Sequence, residues 1–397
     1  MKLTVETKNK IYFVILELLR GFLVLAVGGT LWQGLLIHNG FTATEVGIVT
    51  AVVSLSQAIT YFFSMFITDK FKKPILATMC FSLVYVFMFT VITIICMMGK
   101  RAFLLPVIVL VTFVFYMGEG FRSILCYKIP YLIMDVKDYA FVTATSGWVG
   151  GLFSTIISVL IPVFLGLVGY MLGMTVLYAF CIVVSIVLCI AVLRLKSIGK
   201  IPEKQDVTIK EILTDKSVTK LFLANTTRGF SMGIMGCITI MAAKLFDVSS
   251  VMLTVFASLA SAATLVGYFL FSILGKERYI VKTSVYSGLI FLVLSIVTAF
   301  SGNFVLFAIV TTVLQMSYHI LNGVYPVMLV QKMDYKVAGG VTSVRMMVAM
   351  AASALSGWVT GMVLDNFNGR IPILVLMLVS GVFQLYAILA YCKYYKE

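Results

Sequence analysis

Two acid–base pairs at i,i+3 spacing, Glu17 with Arg20 and Glu119 with Arg122, lie inside long apolar runs. Two further arginines, Arg228 and Arg345, lie in similar surroundings. Residues three apart share one face of a helix, so each pair presents a carboxylate beside a guanidinium. An ionisable side chain in hydrocarbon costs roughly 2.5–3.5 kcal/mol on insertion scales and is by default a functional residue. Guanidinium offers a planar fork of donors that matches carboxylate or phosphate. Glu17, Glu119 and His319 are the groups able to carry a proton, imidazole titrating naturally near neutrality. The chemistry expected of this set is recognition of an anion and proton-linked coupling, in which protonation of Glu119 releases Arg122 to engage a ligand.

Neutral polar residues extend these faces. Thr112, Tyr116 and Ser123 accompany Glu119 and Arg122, and Asn225, Ser231 and Thr239 accompany Arg228. Thr311, Gln315, Tyr318, His319 and Asn322 recur at i, i+4, i+7, i+8 and i+11, the spacing of one helical stripe. Arg20, Arg228, Tyr116, Arg122, Asn225, Gln315, Tyr318 and Asn322 are therefore expected to contact a ligand, with Trp32 and Trp148 available to stack on it. Packing or interfacial anchoring is the competing reading of the two indoles. Snorkelling to the interface competes for the arginines, and a hydrogen-bonded core position for His319. If Glu17 neutralises Arg20 within its own helix, a neutral, sugar-like ligand held by Tyr, Gln, Asn and Trp fits equally.

The elements that must carry these residues follow from composition. Of 397 residues 61% are apolar and 12% charged, with a mean hydropathy of +1.08. Soluble proteins carry about 25% charged residues, so a soluble enzyme is excluded, and solid apolar blocks without period-two alternation exclude a β-barrel. Twelve helical spans are expected at 11–37, 44–67, 74–98, 103–128, 139–168, 170–193, 220–243, 250–274, 279–300, 304–331, 337–364 and 371–391. The division between the fifth and sixth is marked only by Gly166, Gly169 and Tyr170. With 1.5 Å of rise per residue, Arg20 lies about 15 Å past Lys10 and Arg228 about 12 Å past Lys220, both toward the middle of a layer roughly 30 Å thick.

The net charge of +14 has a membrane meaning. With the N-terminus inside, 22 of the 30 Lys and Arg fall in cytoplasmic segments and 4 in the opposite loops. That asymmetry predicts a multi-pass plasma-membrane protein with both termini cytoplasmic. The positive charge therefore predicts lipid and not nucleic acid as a partner. Seven cysteines fall singly, without metal-ligand spacing, and are expected to pack as small apolar residues; no cofactor or metal is expected. The first apolar run is too long for a signal peptide.

The longest polar segment, 194–219, divides the chain into an N-terminal bundle, 1–193, and a C-terminal bundle, 220–397. Glu17-Leu-Leu-Arg20-Gly21-Phe22 aligns with Asn225-Thr-Thr-Arg228-Gly229-Phe230, and Pro130 with Asp138-Tyr139 recurs as Pro326 with Asp334-Tyr335. The first, fourth, seventh and tenth spans each carry a polar stripe, while the third, sixth, ninth and twelfth carry almost none. Duplicated six-helix bundles with a central site are the architecture of alternating-access transporters.

The whole chain resembles the major facilitator superfamily. Asp69-Lys70-Phe71-Lys72-Lys73-Pro74 is similar to its acidic-then-basic cytoplasmic signature, with Met65 and Lys72 where that signature has glycine. Pro130-Tyr131, and Asp334-Tyr335 before Gly339, resemble the cation-coupled glycoside and hexuronide symporters. Ser56, Gln57 and Thr60 stand where that branch has cation-binding aspartates, which argues against sodium coupling of its type. The pairing of Arg20 with Arg228 resembles the organic-phosphate antiporters. The helix-five motif of drug/proton antiporters is replaced by Gly150-Gly151-Leu152-Phe153-Ser154. The resemblance implies an all-α, twelve-helix fold of two pseudo-symmetric bundles and a monomer that moves a small organic solute with protons, another cation being the alternative. A sugar symporter, a drug exporter and a non-transporting receptor are the alternatives. Asp69, ending the second span, and Arg345, early in the eleventh, are expected to gate the cytoplasmic side, an Asp at a helix N-terminus being favourable by about 0.3–1 kcal/mol. Small residues in the fifth and eleventh spans, among them Gly357 and Gly361, are expected to allow close helix approach.

Overall fold

The computed structural model describes residues 4–27, 29–67, 73–98, 104–134, 136–198, 208–274, 279–330 and 335–397. Among them the regular structure is helical. In order the helices are α1 (Val5–Val27), α2 (Gly29–His38), α3 (Ala43–Ile67), α4 (Pro74–Met98), α5 (Leu104–Ile133), α6 (Val136–Val168), α7 (Tyr170–Arg194), α8 (Ile209–Thr214) and α9 (Lys216–Thr219). They continue as α10 (Phe222–Gly236), α11 (Ile238–Phe246), α12 (Ser250–Leu274), α13 (Ile280–Ala299), α14 (Phe304–Val330), α15 (Tyr335–Asn366) and α16 (Arg370–Lys396). Eleven stretches among the described residues are long and apolar enough to cross a membrane: one each in α3–α7 and α12–α16, and one through α10 and α11. The first expected span is represented by α1 and α2 and is not among them. Lys10, Glu17 and Arg20 crowd one span's length of α1, and α2 has only ten residues.

Local chemistry sets the breaks. Gly169, at φ 93°, separates α6 from α7; positive φ is accessible to glycine without a Cβ clash, so the turn falls within the expected Gly166–Tyr170 segment. The seventh span is interrupted at Cys237, whose φ of −98° and ψ of 11° end α10. A helix end leaves carbonyls without intrahelical partners. The one on Gly236 accepts a 2.5 Å hydrogen bond from Gln33 Nε2 of α2, which also donates to Thr50 Oγ1 at 3.1 Å. Between spans, α8 opens with a capping box made by Thr208 and Glu211.

Helix packing repeats with an offset of six spans. The pairs α1–α6, α1–α7, α3–α5, α4–α5 and α4–α7 have the counterparts α10–α15, α10–α16, α12–α14, α13–α14 and α13–α16. The two most extensive contacts that cross between these groups, α3–α15 and α6–α12, map onto each other by the same shift. α3 and α15 run antiparallel in close contact, with Ser54 bonded to Ser353 at 3.0 Å and Ser64 to Ser343 at 3.4 Å. A Cβ on Gly361 would stand 2.7 Å from Ala43 O and 3.0 Å from Gly47 Cα, which is the close approach expected of that glycine. Large apolar side chains are exposed at helical spacing on α4 (Leu83, Phe87, Ile94) and α7 (Val176, Phe180, Val183). These helices are the third and sixth spans, which the sequence leaves almost without polar stripes, and an outward apolar face suits contact with lipid. The chain is a multi-pass membrane protein.

Both described termini lie at one end of the bundle. Asn9 of α1 donates to Lys196 O and Ile133 O, and Lys220 pairs with Glu397. At this near end Ile212 and Val218 of α8 and α9 form a small apolar cluster with Val341 and Val344 of α15. The far end carries the N-terminus of α3 and the C-terminus of α15.

Candidate functional site

The first cluster joins α1, α4 and α5. Arg20 donates from Nε to Glu119 Oε1 at 2.8 Å, with an Nη2–Oε1 distance of 2.6 Å, and from Nη1 to Glu17 Oε2 at 3.2 Å. Glu119 also accepts from Tyr85 Oη and, at 3.0 Å, from Ser123 Oγ. Arg122 is fully buried. Its guanidinium lies 3.6 Å from Glu119 and 3.7 Å from Glu17, Nε donates to Ser82 Oγ at 3.2 Å, and its charge sits 5.9 Å from the Tyr85 ring centre. The sequence pairs each arginine with the acid on its own helix, but the tightest contact crosses from Arg20 on α1 to Glu119 on α5. The two charges of each sign cancel, so this cluster is neutral when fully ionised.

The second cluster joins α10, α14, α15 and α16, and its described side chains include no acid. Arg228 donates to Asn322 Oδ1 at 3.2 Å and lies 4.5 Å from the centre of the Tyr325 ring. Arg345 donates to Asn225 Oδ1 at 3.3 Å and to Tyr391 Oη, and lies 5.3 Å from the Tyr391 ring centre. Tyr391 Oη in turn donates to Asn225 Oδ1 at 2.6 Å, and the Tyr325 and Tyr391 rings meet edge to face at 4.6 Å. Arg228 and Arg345 are 8% and 5% exposed.

Between α10, α11 and α14 lies a cavity of ≈ 210 Å³ lined by Met232, Thr239, Gln315, Tyr318 and His319, with the backbone of Gly236 at its wall. His319 Nε2 is 2.8 Å from Thr264 Oγ1 of α12. Arg228 is one turn from Met232 on α10, and Asn322 one turn from Tyr318 on α14, so the second cluster adjoins the cavity. A broken membrane helix beside a polar cavity is tolerated where side chains satisfy the freed backbone, as Gln33 does here.

Of the remaining expected residues, Tyr116 donates to Val27 O at 3.3 Å and ties α5 to α1, while Trp32 is buried in the apolar core. Arg345, in the early turns of α15, sits among Asn225 and Tyr391. Asp69 and the side chain of Trp148 lie outside the described residues. A carboxylate at a helix N-terminus does occur, at the far end. Asp365 of α15 accepts from the backbone N–H groups of Ala43 and Thr44 of α3 at 3.2 and 2.5 Å and pairs with Lys244 of α11 at 3.1 Å.

Several site residues are ones the sequence pattern does not single out. Tyr85 and Ser82 on α4, and Gln384 and Tyr391 on α16, stand in spans whose composition predicts lipid contact. Their signal is present as helical stripes, Thr78–Ser82–Tyr85 and Ser380–Gln384–Tyr391, hidden by the apolar residues around them.

No family model matches the sequence, and no curated protein does. Solved structures do match. A single-residue variant of the nucleoside transporter NupG has a TM-score of 0.74 at 15% identity, covering 96% of this chain and 98% of its own. A single-residue variant of the E. coli fucose:proton symporter FucP has a TM-score of 0.68 at 12% identity, with 98% and 100% covered. FucP in the outward conformation, described as a major facilitator superfamily transporter, has a TM-score of 0.67 at 12% identity, with 99% and 100% covered. The chain carries the major facilitator fold over nearly its whole length.

Proposed function

We propose that this protein is a secondary transporter that moves a small organic solute, with an organic anion favoured, across the plasma membrane by alternating access, driven by protons. The observation that carries this reading is the presence of two buried arginine clusters inside an apolar helical bundle, the second of them, at Arg228 and Asn322, beside a cavity at a broken helix. Residues 1–193 and 220–397 act as the two moving units, with both termini in the cytoplasm, and the protein works as a monomer. The solute occupies the cavity at Gln315, Tyr318 and His319, with Arg228 and Asn322 at its charged end. Glu119 is the coupling carboxylate: its protonation removes the negative charge that holds Arg20, and to a lesser degree Arg122, and frees a guanidinium when the site changes access.

A neutral solute is the second reading. It is favoured by the internal neutralisation of Arg20 and Arg122, and structures of the same fold belong to a nucleoside transporter and a fucose:proton symporter. Purified protein in proteoliposomes separates the possibilities. Accumulation driven by an imposed pH gradient and abolished in Glu119→Gln, with solute counterflow retained, supports the proton-coupled mechanism. Wild-type accumulation in that variant refutes the role of Glu119, and ligand binding without counterflow refutes transport.

A further inference from the structure

The two clusters treat arginine in opposite ways. Arg20 and Arg122 have Glu17 and Glu119 around them, so their charges are cancelled by the chain itself. Arg228 and Arg345 are more deeply buried than Arg20, and among the described residues no carboxylate lies within ion-pair distance of either. Their contacts are two amide oxygens, one phenol and two ring faces, all neutral groups. Buried charges in proteins are paired or bind ions, and two like charges held in one low-dielectric frame repel.

The unused hydrogen-bonding capacity lies in the same place. Arg228 Nε, Arg345 Nε and Tyr325 Oη are buried without a hydrogen-bond partner among the described residues, as are both amide atoms of Gln384. α10 and α16 run antiparallel, with Ser231 bonded to Ser380 and Asn225 to Tyr391. This register brings Gln384 level with Arg228. Asn322 and Asn225 each accept from one guanidinium and fix its rotation. Buried polar groups left unmatched are rare in folded proteins, and here five such atoms gather around two uncompensated positive charges.

We infer that Arg228 and Arg345, steadied by Asn322 and Asn225, seat a doubly charged head group, a phosphate monoester or a dicarboxylate, on the transported solute. This deepens the anion reading given above and rests on it. Two guanidiniums need two negative charges for neutrality, and each matches a pair of anionic oxygens. The adjoining cavity accepts the uncharged remainder of the same molecule at Tyr318 and Gln315.

The test uses the full chain, purified in detergent for thermal stability and reconstituted for counterflow. The probes are glycerol 3-phosphate, succinate, inorganic phosphate, lactate and uncharged glycerol. Glycerol 3-phosphate or succinate is expected to raise Tm and to exchange, with lactate at least tenfold weaker. Arg345→Met is expected to abolish that tenfold preference. Should it fail to fold, Tyr325→Phe keeps the question open to measurement. Removal of an unpartnered buried hydroxyl is expected to leave the free protein as stable or more so, while lowering dianion affinity at least threefold. A merely structural hydroxyl would leave affinity unchanged. Dianion exchange that is insensitive to both variants overturns the inference and leaves anion transport standing. Stabilisation by inorganic phosphate with no ester or succinate exchange overturns it in favour of a resident ion. Exchange of glycerol alone overturns it together with the anion reading.

Discussion

Replacing Glu119 by Gln removes the charge that organises the first cluster. Glu119 holds Arg20 at 2.6 and 2.8 Å, accepts from Tyr85 and Ser123, and has Arg122 at 3.6 Å. Breaking a buried ion pair by removing one partner costs about 3–5 kcal/mol. The Arg20 side chain is 32% exposed and keeps Glu17 at 3.2 Å, so the lower end, about 3 kcal/mol, applies. Glu17 is 22% exposed, and its removal leaves both arginines beside Glu119, so Glu17→Gln is expected to cost about 1 kcal/mol, in the range of a weakly buried pair. The difference of about 2 kcal/mol is a factor of roughly 30 in the unfolding equilibrium. Unfolding in mixed micelles measures both variants, and a double-mutant cycle with Arg20→Gln isolates the shared term: residues in one network are non-additive, and the double variant should lose less than the sum. Equal costs for Glu17→Gln and Glu119→Gln, or strict additivity with Arg20→Gln, would refute the assignment of Glu119 as the hub.

Gln33→Leu strips the Gly236 carbonyl of its donor inside the bundle and should cost about 1–3 kcal/mol; a fully stable variant would mean the break at Cys237 needs no cross-helix support. Gly361→Ala places a methyl against two backbone segments of α3 with no flexible side chain to yield, so overpacking of about 1–3 kcal/mol and slowed counterflow are expected, and unchanged Tm with normal exchange would contradict the close-contact picture. Asp365→Asn weakens the hold on the α3 terminus by about 0.5–1 kcal/mol. A thiol placed by Thr44→Cys should then react faster with a membrane-impermeant reagent, and an identical labelling rate would count against Asp365 as a far-end latch.

How far the site is legible in the chain follows from what periodicity can encode. Gln315, Tyr318, His319 and Asn322 share a stripe because one helix spaces them; the first three line the cavity and the fourth holds Arg228. Arg20 meets Glu119 across two helices, a relation no spacing within either helix expresses, so pattern alone favours the nearer acid Glu17. Asp365 is obscure for the same reason: a carboxylate near a span's end reads as solvated until a second helix terminus is brought against it. The break at Cys237 has no proline to announce it, because the freed carbonyl is satisfied by Gln33 more than two hundred positions earlier. Tyr85 and Tyr391 are hidden because an amphipathic tyrosine scores as apolar, and their hydroxyls matter only where an acid or an amide waits.

The described second half of the connection between the two bundles, residues 208–219, is anchored on α15. Ile212 reaches so near the α15 backbone that a Cβ on Gly340 would overlap its Cδ1, and the capping box keeps that short helix wound. Any tilt of α15 in the proposed alternating-access cycle would therefore drag residues 209–219 with it. A reporter dye attached at this elbow would register such a tilt from the water, without touching the membrane interior.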